Sequence, residues 1–418
     1  MDFEIVAIGN ELLLGFTVDS NSADIGLALA AAGARVVRRT TVGDTSAEIS
    51  QAVGAALRRT GHVITTGGLG PTKDDITKKS VAELFGVPLD FDEDIWQSLV
   101  DRYARLVRRS PDSNRCQAEV PRGATVLTNH WGSAPGLWLE AEPGLVVMLP
   151  GVPQEMRNLM AHEVVPRVRR RGAAVAVIAS RVLRTAGIGE SSLAERMGDV
   201  EEMIAPVTLA YLPGEAWVDL RMTAWKHTPD DGQALLDRAA QAVRERAGDF
   251  CFGEDDDDLA GVLLEHARRA GMTLAVAESC TGGQVGQRLS AIPGSSDVFL
   301  GGVIAYHNDV KHSQLGVPLE MLEREGAVSE PVARAMAEGA ANRLGADLAI
   351  AITGIAGPDG GTEDKPVGTV WHGYHVRGST ETSHRVYPGD RNGVRTRATM
   401  GALFGMLRRL SREQGAEG

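Results

Sequence analysis

The sequence predicts an α/β protein made of two doubly wound, three-layer α/β domains joined by a small α+β middle domain. Segments that read strand, glycine turn, helix recur towards both ends of the chain, and 49 of its 418 residues are glycine. A chain of this length has room for about three domains of ~150 residues each. We place the domains at residues 1–171, 172–253 and 254–418.

The first domain opens with a short apolar run that stops at Gly9 and is typical of a buried parallel strand. Further on, Thr45 and Glu48 form a capping box, which predicts a helix that runs to Gly61. Right-handed crossovers make such a series a doubly wound sheet, whose ligands bind beyond the carboxyl ends of the strands. The predicted strands are Phe3–Ile8, Arg35–Val42, His62–Thr66, Val126–Leu127 and Val146–Leu149, with a helix over Asp19–Ala32.

The middle domain has no glycine-rich loop, and we expect it to connect and dimerise rather than catalyse. The acidic run Glu254–Asp258 that follows is consistent with a metal site, but it fits better a solvated linker that caps the next helix. The predicted strands are Val175–Leu183, Val207–Leu212 and Trp217–Thr223, and the predicted helices are 189–197 and 231–247.

The last domain returns to alternating strands and helices. Its buried strands end in polar or glycine-rich segments, which is where an α/β sheet places its ligands. The predicted strands are Leu274–Ala277, Val298–Tyr306, Asp347–Ile352, Val367–Val376 and Thr382–Tyr387, with helices at 259–270, at 329–344 and from about Arg391.

Composition excludes several classes of protein. The formal net charge is −12, whereas duplex-binding proteins gain affinity by neutralising phosphates, so direct nucleic-acid binding is not expected. Cys116, Cys251 and Cys280 are far apart, which suits a reducing compartment and excludes a cysteine-rich zinc site. No run reaches the ~18 apolar residues of a membrane helix, and the first residues lack the basic region of a signal peptide. We therefore expect a cytoplasmic protein without membrane contact.

The segment Gly67–Lys78 is the richest in the first domain. Glycines after a strand let the backbone approach an anion, and the next helix N-terminus favours phosphate. The adjacent Asp74 and Asp75 suit a divalent cation that bridges phosphate and protein oxygens. The alternative is a plain glycine turn with Asp74 as a helix cap, and the segment alone does not decide between the two.

In the last domain, Ser279 and Cys280 lie where a predicted strand meets a helix, followed by Gly282 and Gly283. Small glycines let a substrate approach, and backbone N–H groups at such a turn can stabilise an oxyanion. Capping of the helix by Ser279 is the alternative, and Cys280 is either a rival nucleophile or a small packing residue.

A serine nucleophile needs a base, and the sequence offers two kinds. Lys311 could act if burial lowered its pKa, with Tyr306 relaying the proton. His307 and His312 offer the conventional Ser–His arrangement. The loop Thr353–Gly361 is a second anion cradle, and Arg391 could hold a phosphate or simply begin a surface helix.

Two sets of ordered motifs resemble known domains. Gly9-Asn10-Glu11, Asp19-Ser20-Asn21, the Gly67–Lys78 segment and Leu149–Pro153 are similar to the molybdopterin-binding domain of molybdenum-cofactor biosynthesis proteins. ESCTGG, PGSS, the Tyr306–Lys311 stretch, GAVSE, TGIAGPDGG, KPVGTVW and PGDR resemble the nicotinamide mononucleotide deamidase domain. Joined in one chain, the two resemble the competence/damage-inducible CinA family over essentially the whole length.

The resemblance implies that the C-terminal domain hydrolyses nicotinamide mononucleotide to nicotinate mononucleotide and ammonia, without a metal. Carried over by motif, Ser279 is the nucleophile, Tyr306 and Lys311 transfer protons, and Thr353 and Arg391 position the substrate and its phosphate. Gly282, Gly283, Gly354 and Gly357 would line this site.

For the first domain, the resemblance implies cleavage of ADP-ribose to AMP and ribose 5-phosphate with a divalent ion of the Mg, Mn or Co type. The candidate metal ligands are Asp74, Asp75 and Glu155, and Asp75 stands at the family's key acidic position. The family commonly has Thr at position 10 and Pro at position 152, where this chain has Asn and Val. The resemblance also implies a homodimer. The residues expected to bind the nucleotide are Gly67, Gly68, Gly70 and Lys73.

Two other functions are compatible with the sequence. The first domain could bind molybdopterin or adenylylate it, as in cofactor assembly. The chain could instead be a non-catalytic adaptor in competence or DNA-damage response, which its acidic charge would restrict to protein partners.

Overall fold

The computed structural model of the chain describes residues 1–105, 111–171 and 177–416. These residues form two compact units, Met1–Ala179 with Trp225–Gln233, and Ser180–Ala224 with Ala234–Gly418. Within the described ranges, no helix combines the length and the apolar character needed to cross a bilayer.

The first unit contains a mixed sheet and a short separate ribbon. Its strands are β1 Asp2–Ile8, β2 Arg35–Val42, β3 His62–Thr66, β4 Leu89–Phe91, β5 Glu119–Pro121, β6 Thr125–Leu127, β7 Gly136–Ala141 and β8 Gly144–Leu149. The six-stranded sheet has the order β2-β1-β3-β8-β7-β6, and β4 pairs with β5 alone. Strands β2, β1, β3 and β8 are parallel, whereas β7 and β6 run antiparallel to their neighbours.

Helices cover both faces of this sheet. They are α1 Asn10–Leu13, α2 Ser20–Ala31, α3 Ser46–Thr60, α4 Thr77–Phe85, α5 Glu93–Arg105, α6 Pro153–Leu159 and α7 Val165–Arg171, with a π-helical turn between α6 and α7. Phe3 and Ile5 pack with α2, α6 and α7, whereas Val6 and Ile8 pack with α3 and α4. Alternate residues of one strand therefore face opposite layers, which confirms the predicted three-layer arrangement.

The capping box predicted for α3 forms as expected. The Thr45 hydroxyl accepts a hydrogen bond from the Glu48 N–H at 3.3 Å and donates to the Glu48 carboxylate at 2.9 Å. The helix ends at Thr60, and Gly61 adopts a left-handed conformation with φ 71°. The local sequence is sufficient to define both ends of this helix.

The middle domain is a four-stranded sheet with three helices. Its strands are β9 Val177–Thr185, β10 Thr208–Pro213, β11 Val218–His227 and β12 Cys251–Glu254, and its helices are α8 Glu190–Met197, α9 Val200–Met203 and α10 Pro229–Ala247. The sheet order is β10-β11-β9-β12. Positions 175 and 176 of the predicted first strand lie outside the described residues. After β12, the Asp258 carboxylate accepts hydrogen bonds from Ala260 and Gly261 N–H groups, so the acidic run does cap the next helix.

The C-terminal domain is built on a five-stranded sheet in the second unit. Its strands are β13 Leu274–Glu278, β14 Phe299–Ile304, β15 Leu348–Gly354, β16 Thr369–Val376 and β17 Ser379–Val386. Its helices are α11 Leu259–Arg269, α12 Gln284–Ser290, α13 Asn308–Leu315, α14 Leu319–Glu325, α15 Glu330–Leu344 and α16 Arg391–Ala416. The sheet order is β14-β13-β15-β16-β17; the first three strands are parallel and the last two antiparallel.

The two faces of this sheet carry side chains of different size. Leu274 and Val276 of β13 pack with α11, α12 and α16. Ala275 and Ala277 of the same strand pack with α13 and α15, and Ala349 and Ala351 of β15 do likewise. Small residues on one face let α15 lie close to the sheet, while the larger core forms on the other.

Strand β13 lies between two parallel neighbours, β14 on one side and β15 on the other. The connection after β13 leads to β14 on one side, whereas the chain after β15 leads to β16 on the other, which opens a crevice between the carboxyl ends of β13 and β15. The segments after β13, β14 and β15 meet at this edge of the sheet.

Candidate active sites

Ser279 follows directly after β13, in a turn that is fixed by the residue before it. The Glu278 carboxylate is buried and accepts hydrogen bonds from the N–H groups of Gly283 at 2.9 Å, Val285 at 3.1 Å and Gly286 at 2.8 Å. One carboxylate thus accepts from three backbone N–H groups at the start of α12 that have no hydrogen-bond partner within the helix. Sequence reasoning assigned no role to Glu278, because its partners lie five to eight residues away, beyond the spacing of a capping box.

Lys311 lies against Ser279. Its Nζ is 3.1 Å from Ser279 Oγ, 2.9 Å from the Ala305 carbonyl oxygen and 3.3 Å from that of Tyr306. The Lys311 side chain is only 1 % exposed, and burial lowers the pKa of its amine. As a neutral amine, Lys311 can donate two N–H bonds to the carbonyls and offer its lone pair to the Ser279 hydroxyl.

The two histidines proposed as alternative bases have hydrogen-bond partners other than Ser279. His307 is exposed and caps α13, where its Nδ1 accepts a hydrogen bond from the Asp309 N–H. His312 Nδ1 lies 2.9 Å from the Val317 carbonyl oxygen. The base within hydrogen-bond distance of Ser279 is therefore Lys311.

Cys280 is buried beside the nucleophile candidate, and burial raises the pKa of its thiol to about 12. A thiol with such a pKa stays protonated at neutral pH and is a poor nucleophile. Its contacts belong to the apolar core formed with α11, α12 and α16. The geometry thus favours the packing role over the nucleophilic one.

Tyr306 has contacts with both Lys311 and Arg391. The Tyr306 side chain is 58 % exposed, and its hydroxyl accepts a hydrogen bond from Arg391 at 2.6 Å. Only its backbone carbonyl contacts Lys311. Arg391 also donates to the Gly357 carbonyl oxygen at 2.6 Å, so it is joined to the 353–361 loop. Tyr306 therefore connects the buried Ser279–Lys311 pair with an exposed arginine.

Thr353 is the penultimate residue of β15, and its hydroxyl is used in a hydrogen bond within the protein. It is buried and donates to the Ala327 carbonyl oxygen at 2.7 Å. Lys365 stabilises the segment that contains Ala327, since its Nζ donates to the carbonyls of Glu325 and Val328. Gly354 follows Thr353, and a Cβ there would lie 3.1 Å from Cys280 Sγ. The 353–361 loop is thus packed directly behind the nucleophile turn.

The first unit has a cavity of 440 Å³ at the carboxyl ends of β1, β3 and β8. Gly67, Gly68 and Gly70 line it, as predicted for an anion cradle. Gly67 has φ 105°, and a Cβ there would lie 2.2 Å from the Ile8 carbonyl oxygen, so this turn requires glycine. Lys73, predicted to bind the same ligand, is exposed and is not among the described residues that line the cavity.

Acidic side chains dominate this cavity. The described residues lining it include six carboxylates but no lysine, arginine or histidine: Glu11, Asp19, Asp44, Asp74, Asp75 and Glu155. Asp44 was not among the residues singled out in the sequence. An anionic ligand would be repelled here unless a cation were bound with it.

The three predicted metal ligands differ in their surroundings. Asp75 accepts hydrogen bonds from the Thr72 N–H and hydroxyl groups. Glu155 accepts one from Asn129 at 2.5 Å, and burial raises the pKa of its carboxyl. Within the described residues, no three His, Cys, Asp or Glu side chains converge as metal ligands. Mg²⁺ commonly takes one or two carboxylates together with waters and substrate phosphates, and the pair Asp74 and Asp75 fits that donor set.

Comparisons with known proteins cover all three domains. Family models match as "Probable molybdopterin binding domain" at residues 4–170, "Damage-inducible protein CinA KH domain" at 180–253 and "CinA C-terminal domain" at 256–410. A CinA-like protein of Gemmatimonas aurantiaca is 52% identical over 418 residues, which covers 99% of this chain and 98% of the relative. One of Parasynechococcus marenigrum is 45% identical over 412 residues, covering 97% and 98%.

Among solved structures, the competence/damage inducible protein CihA of Agrobacterium tumefaciens is 40% identical, with a TM-score of 0.36. That alignment covers 37% of this chain and 93% of the other. The full-length relatives and the three consecutive family matches together show that the chain belongs to the CinA family.

Proposed function

We propose that the C-terminal domain hydrolyses the carboxamide of nicotinamide mononucleotide, with Ser279 as the nucleophile and Lys311 as its base. The observation that carries the proposal is the 3.1 Å contact between Lys311 Nζ and Ser279 Oγ, inside a buried site. The match of residues 256–410 to the CinA C-terminal domain supports it.

The reaction follows from the protonation states that burial favours. Neutral Lys311 takes the proton of the Ser279 hydroxyl as the oxygen attacks the amide carbon. The C–N bond breaks, the Lys311 ammonium returns its proton to the leaving nitrogen, and ammonia departs from an acyl-enzyme ester. Water then attacks the ester, Lys311 accepts its proton and passes it to the Ser279 oxygen, and the nicotinate product leaves.

Charge on the carbonyl oxygen needs hydrogen-bond donors during both steps. Glu278 occupies the N–H groups of Gly283, Val285 and Gly286, so these donors are taken. We assign the oxyanion to the N–H groups of Cys280 and Thr281, which follow Ser279 in the same turn. A cationic Arg391 at the exposed end of the site suits the phosphate of the substrate.

The test is ammonia release from nicotinamide mononucleotide by the full-length protein. Ser279→Ala should lower kcat/KM by at least ~10³-fold, because the acyl-enzyme cannot form. Cys280→Ala is the matched control in the same turn and should retain activity. Loss of activity in Cys280→Ala with retention in Ser279→Ala would reverse the assignment.

We further propose that the N-terminal domain cleaves ADP-ribose to AMP and ribose 5-phosphate. The carboxylate-lined cavity beside the Gly67–Gly70 turn supports this, because a pyrophosphate can enter it only with a cation. A divalent ion held by Asp74 and Asp75 would supply that neutralising charge. The Gly67–Gly70 backbone would approach the phosphates, and hydrolysis adds water across one P–O–P bond.

Chelation and substitution separate the two proposed activities. EDTA and Asp75→Asn should each abolish AMP formation while deamidation continues in the same sample. Asp94→Asn, which changes an acidic residue outside this cavity, is the matched control and should retain both activities. Deamidation that stops with EDTA would contradict the proposed division between the domains.

A pterin ligand is the alternative for this cavity, and the family match at residues 4–170 favours testing it. Calorimetry with molybdopterin and with ADP-ribose, each with and without Mg²⁺, distinguishes the two. Metal-independent binding of molybdopterin together with no heat from ADP-ribose would favour the pterin function.

A further inference from the structure

The second unit also contains a cavity, here called the second cavity, which is lined by residues of both the middle and the C-terminal domains. Its volume is 780 Å³, and its walls come from the β9–α8 turn, the β10–β11 hairpin, strands β16 and β17 and one face of α16. Neither proposed reaction uses it. Ser279 and Lys311 are not among its lining residues, and the carboxylate cavity lies in the other unit.

The walls of this cavity are held in place by packing. Gly187 has φ 76°, and a Cβ there would lie 2.5 Å from the Phe404 ring of α16, so the turn and the helix approach very closely. Arg408 donates to the Asp249 carboxylate at 2.9 Å and lies over the Phe250 ring. Ala186, Trp217 and Phe250 belong to one apolar cluster with α16. The cavity is therefore part of the fold rather than a gap between loosely joined parts.

Charge in this cavity is unbalanced. Five arginines line it against two glutamates, although the chain as a whole has a net charge of −12. Arg408 and Arg409 are already neutralised by Asp249 and Glu381. Among the described residues, Arg385, Arg397 and Arg412 have no acidic partner, and Arg397 donates only to the Pro388 carbonyl. Three unpaired cations in one partly enclosed space favour an anion between them.

The cavity also contains groups that suit a planar heterocycle. Trp217 and Tyr387 offer aromatic surface, whereas Tyr374 is buried and Arg409 lies over its ring. His372 is 1 % exposed; its Nε2 lies 3.2 Å from the Ala398 carbonyl oxygen, and its Nδ1 has no hydrogen-bond partner among the described residues. Burial lowers the pKa of His372 to about 4, so the ring is neutral and Nδ1 is an acceptor. Because Nδ1 is itself buried, His372 forms part of the cavity wall, and we assign it no contact with a ligand.

We propose that this cavity binds a nucleoside phosphate. The unpaired arginines hold the phosphate, and Trp217 and Tyr387 contact the base. A simple anion would bind the arginines but not the aromatic side chains, and a neutral aromatic molecule would contact only the aromatic side chains. The combination of both groups in one cavity favours a ligand that carries both.

The experiment is isothermal titration calorimetry of the full-length protein with AMP in EDTA, with inorganic phosphate and adenosine as partial probes. EDTA removes the cation that AMP would need in the carboxylate cavity. AMP should bind at least tenfold more tightly than either partial probe. Arg385→Glu and Arg412→Glu should each weaken AMP binding at least tenfold, because each replaces a cation of the cavity with an anion. Both variants should fold, since the two arginines are exposed and form no ion pair that supports the described fold.

Two controls locate the site. Arg343→Glu makes the same charge change on α15, outside the cavity, and should leave AMP binding unchanged. Arg391→Ala should also leave it unchanged; loss of AMP binding in Arg391→Ala would place the ligand at the deamidase site and overturn the proposal. Equal affinity for phosphate and AMP, or AMP binding that survives both glutamate substitutions, would overturn it as well.

Discussion

Lys311 Nζ and Ser279 Oγ are 3.1 Å apart, although 32 residues separate them in the chain. Each follows one of two adjacent parallel strands, β13 and β14, so the sheet itself brings them together. A lysine in this position has no carboxylate hydrogen-bonded to it; its described partners are one hydroxyl and two carbonyls. Such surroundings favour an amine that can lose its proton.

The pH dependence of deamidation should report on Lys311. Burial lowers the pKa of this amine, and only the neutral form can accept the Ser279 proton. We expect kcat/KM to rise with pH and to level off below the ordinary lysine pKa of about 10.4. Lys311→Ala should lower kcat/KM by about 10²–10⁴-fold and remove this rise. His307→Ala is the control and should keep both the rate and the profile.

Glu278→Gln should weaken both the fold and the reaction. The amide can accept fewer of the three N–H groups, and its NH₂ group would face a donor, at a cost of about 1–3 kcal/mol. We expect a lower Tm and a lower kcat, measured by calorimetry and by ammonia release. Glu265→Gln removes two exposed ion pairs on α11, with Arg268 and Arg269, and should change the stability by less than ~1 kcal/mol. Equal effects of the two substitutions would argue against the role of Glu278.

Tyr306 and Arg391 should act as a coupled pair in phosphate recognition. The Tyr306 hydroxyl accepts from Arg391 at 2.6 Å, so Tyr306→Phe and Arg391→Ala should be non-additive in a double-mutant cycle, by about 1 kcal/mol or more. Arg391→Ala should raise KM for nicotinamide mononucleotide but have little effect with the riboside, which lacks the phosphate. A fall in kcat for Tyr306→Phe on both substrates would instead support proton transfer by the phenol.

The expected homodimer has a candidate surface in the first unit. Large apolar side chains are exposed on a short segment after β1, among them Phe16 at 83 % and Val18 at 86 %, with Leu13 and Leu14 beside them. Such clusters usually mark contact surfaces. Phe16→Ser with Val18→Ser should convert a dimer to a monomer in light scattering. Leu319→Ser, an exposed apolar residue in the other unit, should leave the dimer intact.

Local signals in the sequence were sufficient for much of the fold. The Thr45 capping box and Gly61 define α3, and β2 and β3 have the bounds predicted for them. Strand β7 was missed, although it fills the place between β8 and β6. Turn signals flank its six residues, Pro135 on one side and Pro143-Gly144 on the other, but so short an apolar run does not by itself distinguish a strand from other buried segments, and pairing with β8 identifies it.

The candidate sites depended on contacts that sequence spacing does not encode. The Ser279–Lys311 pair could be proposed because strand ends meet at one edge of a sheet. The direction of the Tyr306 hydroxyl could not, since its partner Arg391 lies 85 residues away on another element. The unpaired arginines of the second cavity come from β17 and α16, and their proximity follows only from the packing of α16 against the C-terminal sheet.

The two faces of the C-terminal sheet carry side chains of different size, so substitutions on the two faces should have different consequences. On the side of Leu274 and Ile350, a shorter aliphatic residue would leave a void at a distance from the nucleophile. On the side of Ala351, one added methyl group would push against α15 at a typical cost of ~1–3 kcal/mol. Because α15 begins just after Ala327, which anchors Thr353, that displacement would deform the catalytic pocket from behind. Shorter residues on the side of Leu274 should therefore lower mainly the stability of this domain, whereas larger residues in place of the alanines should also lower its activity.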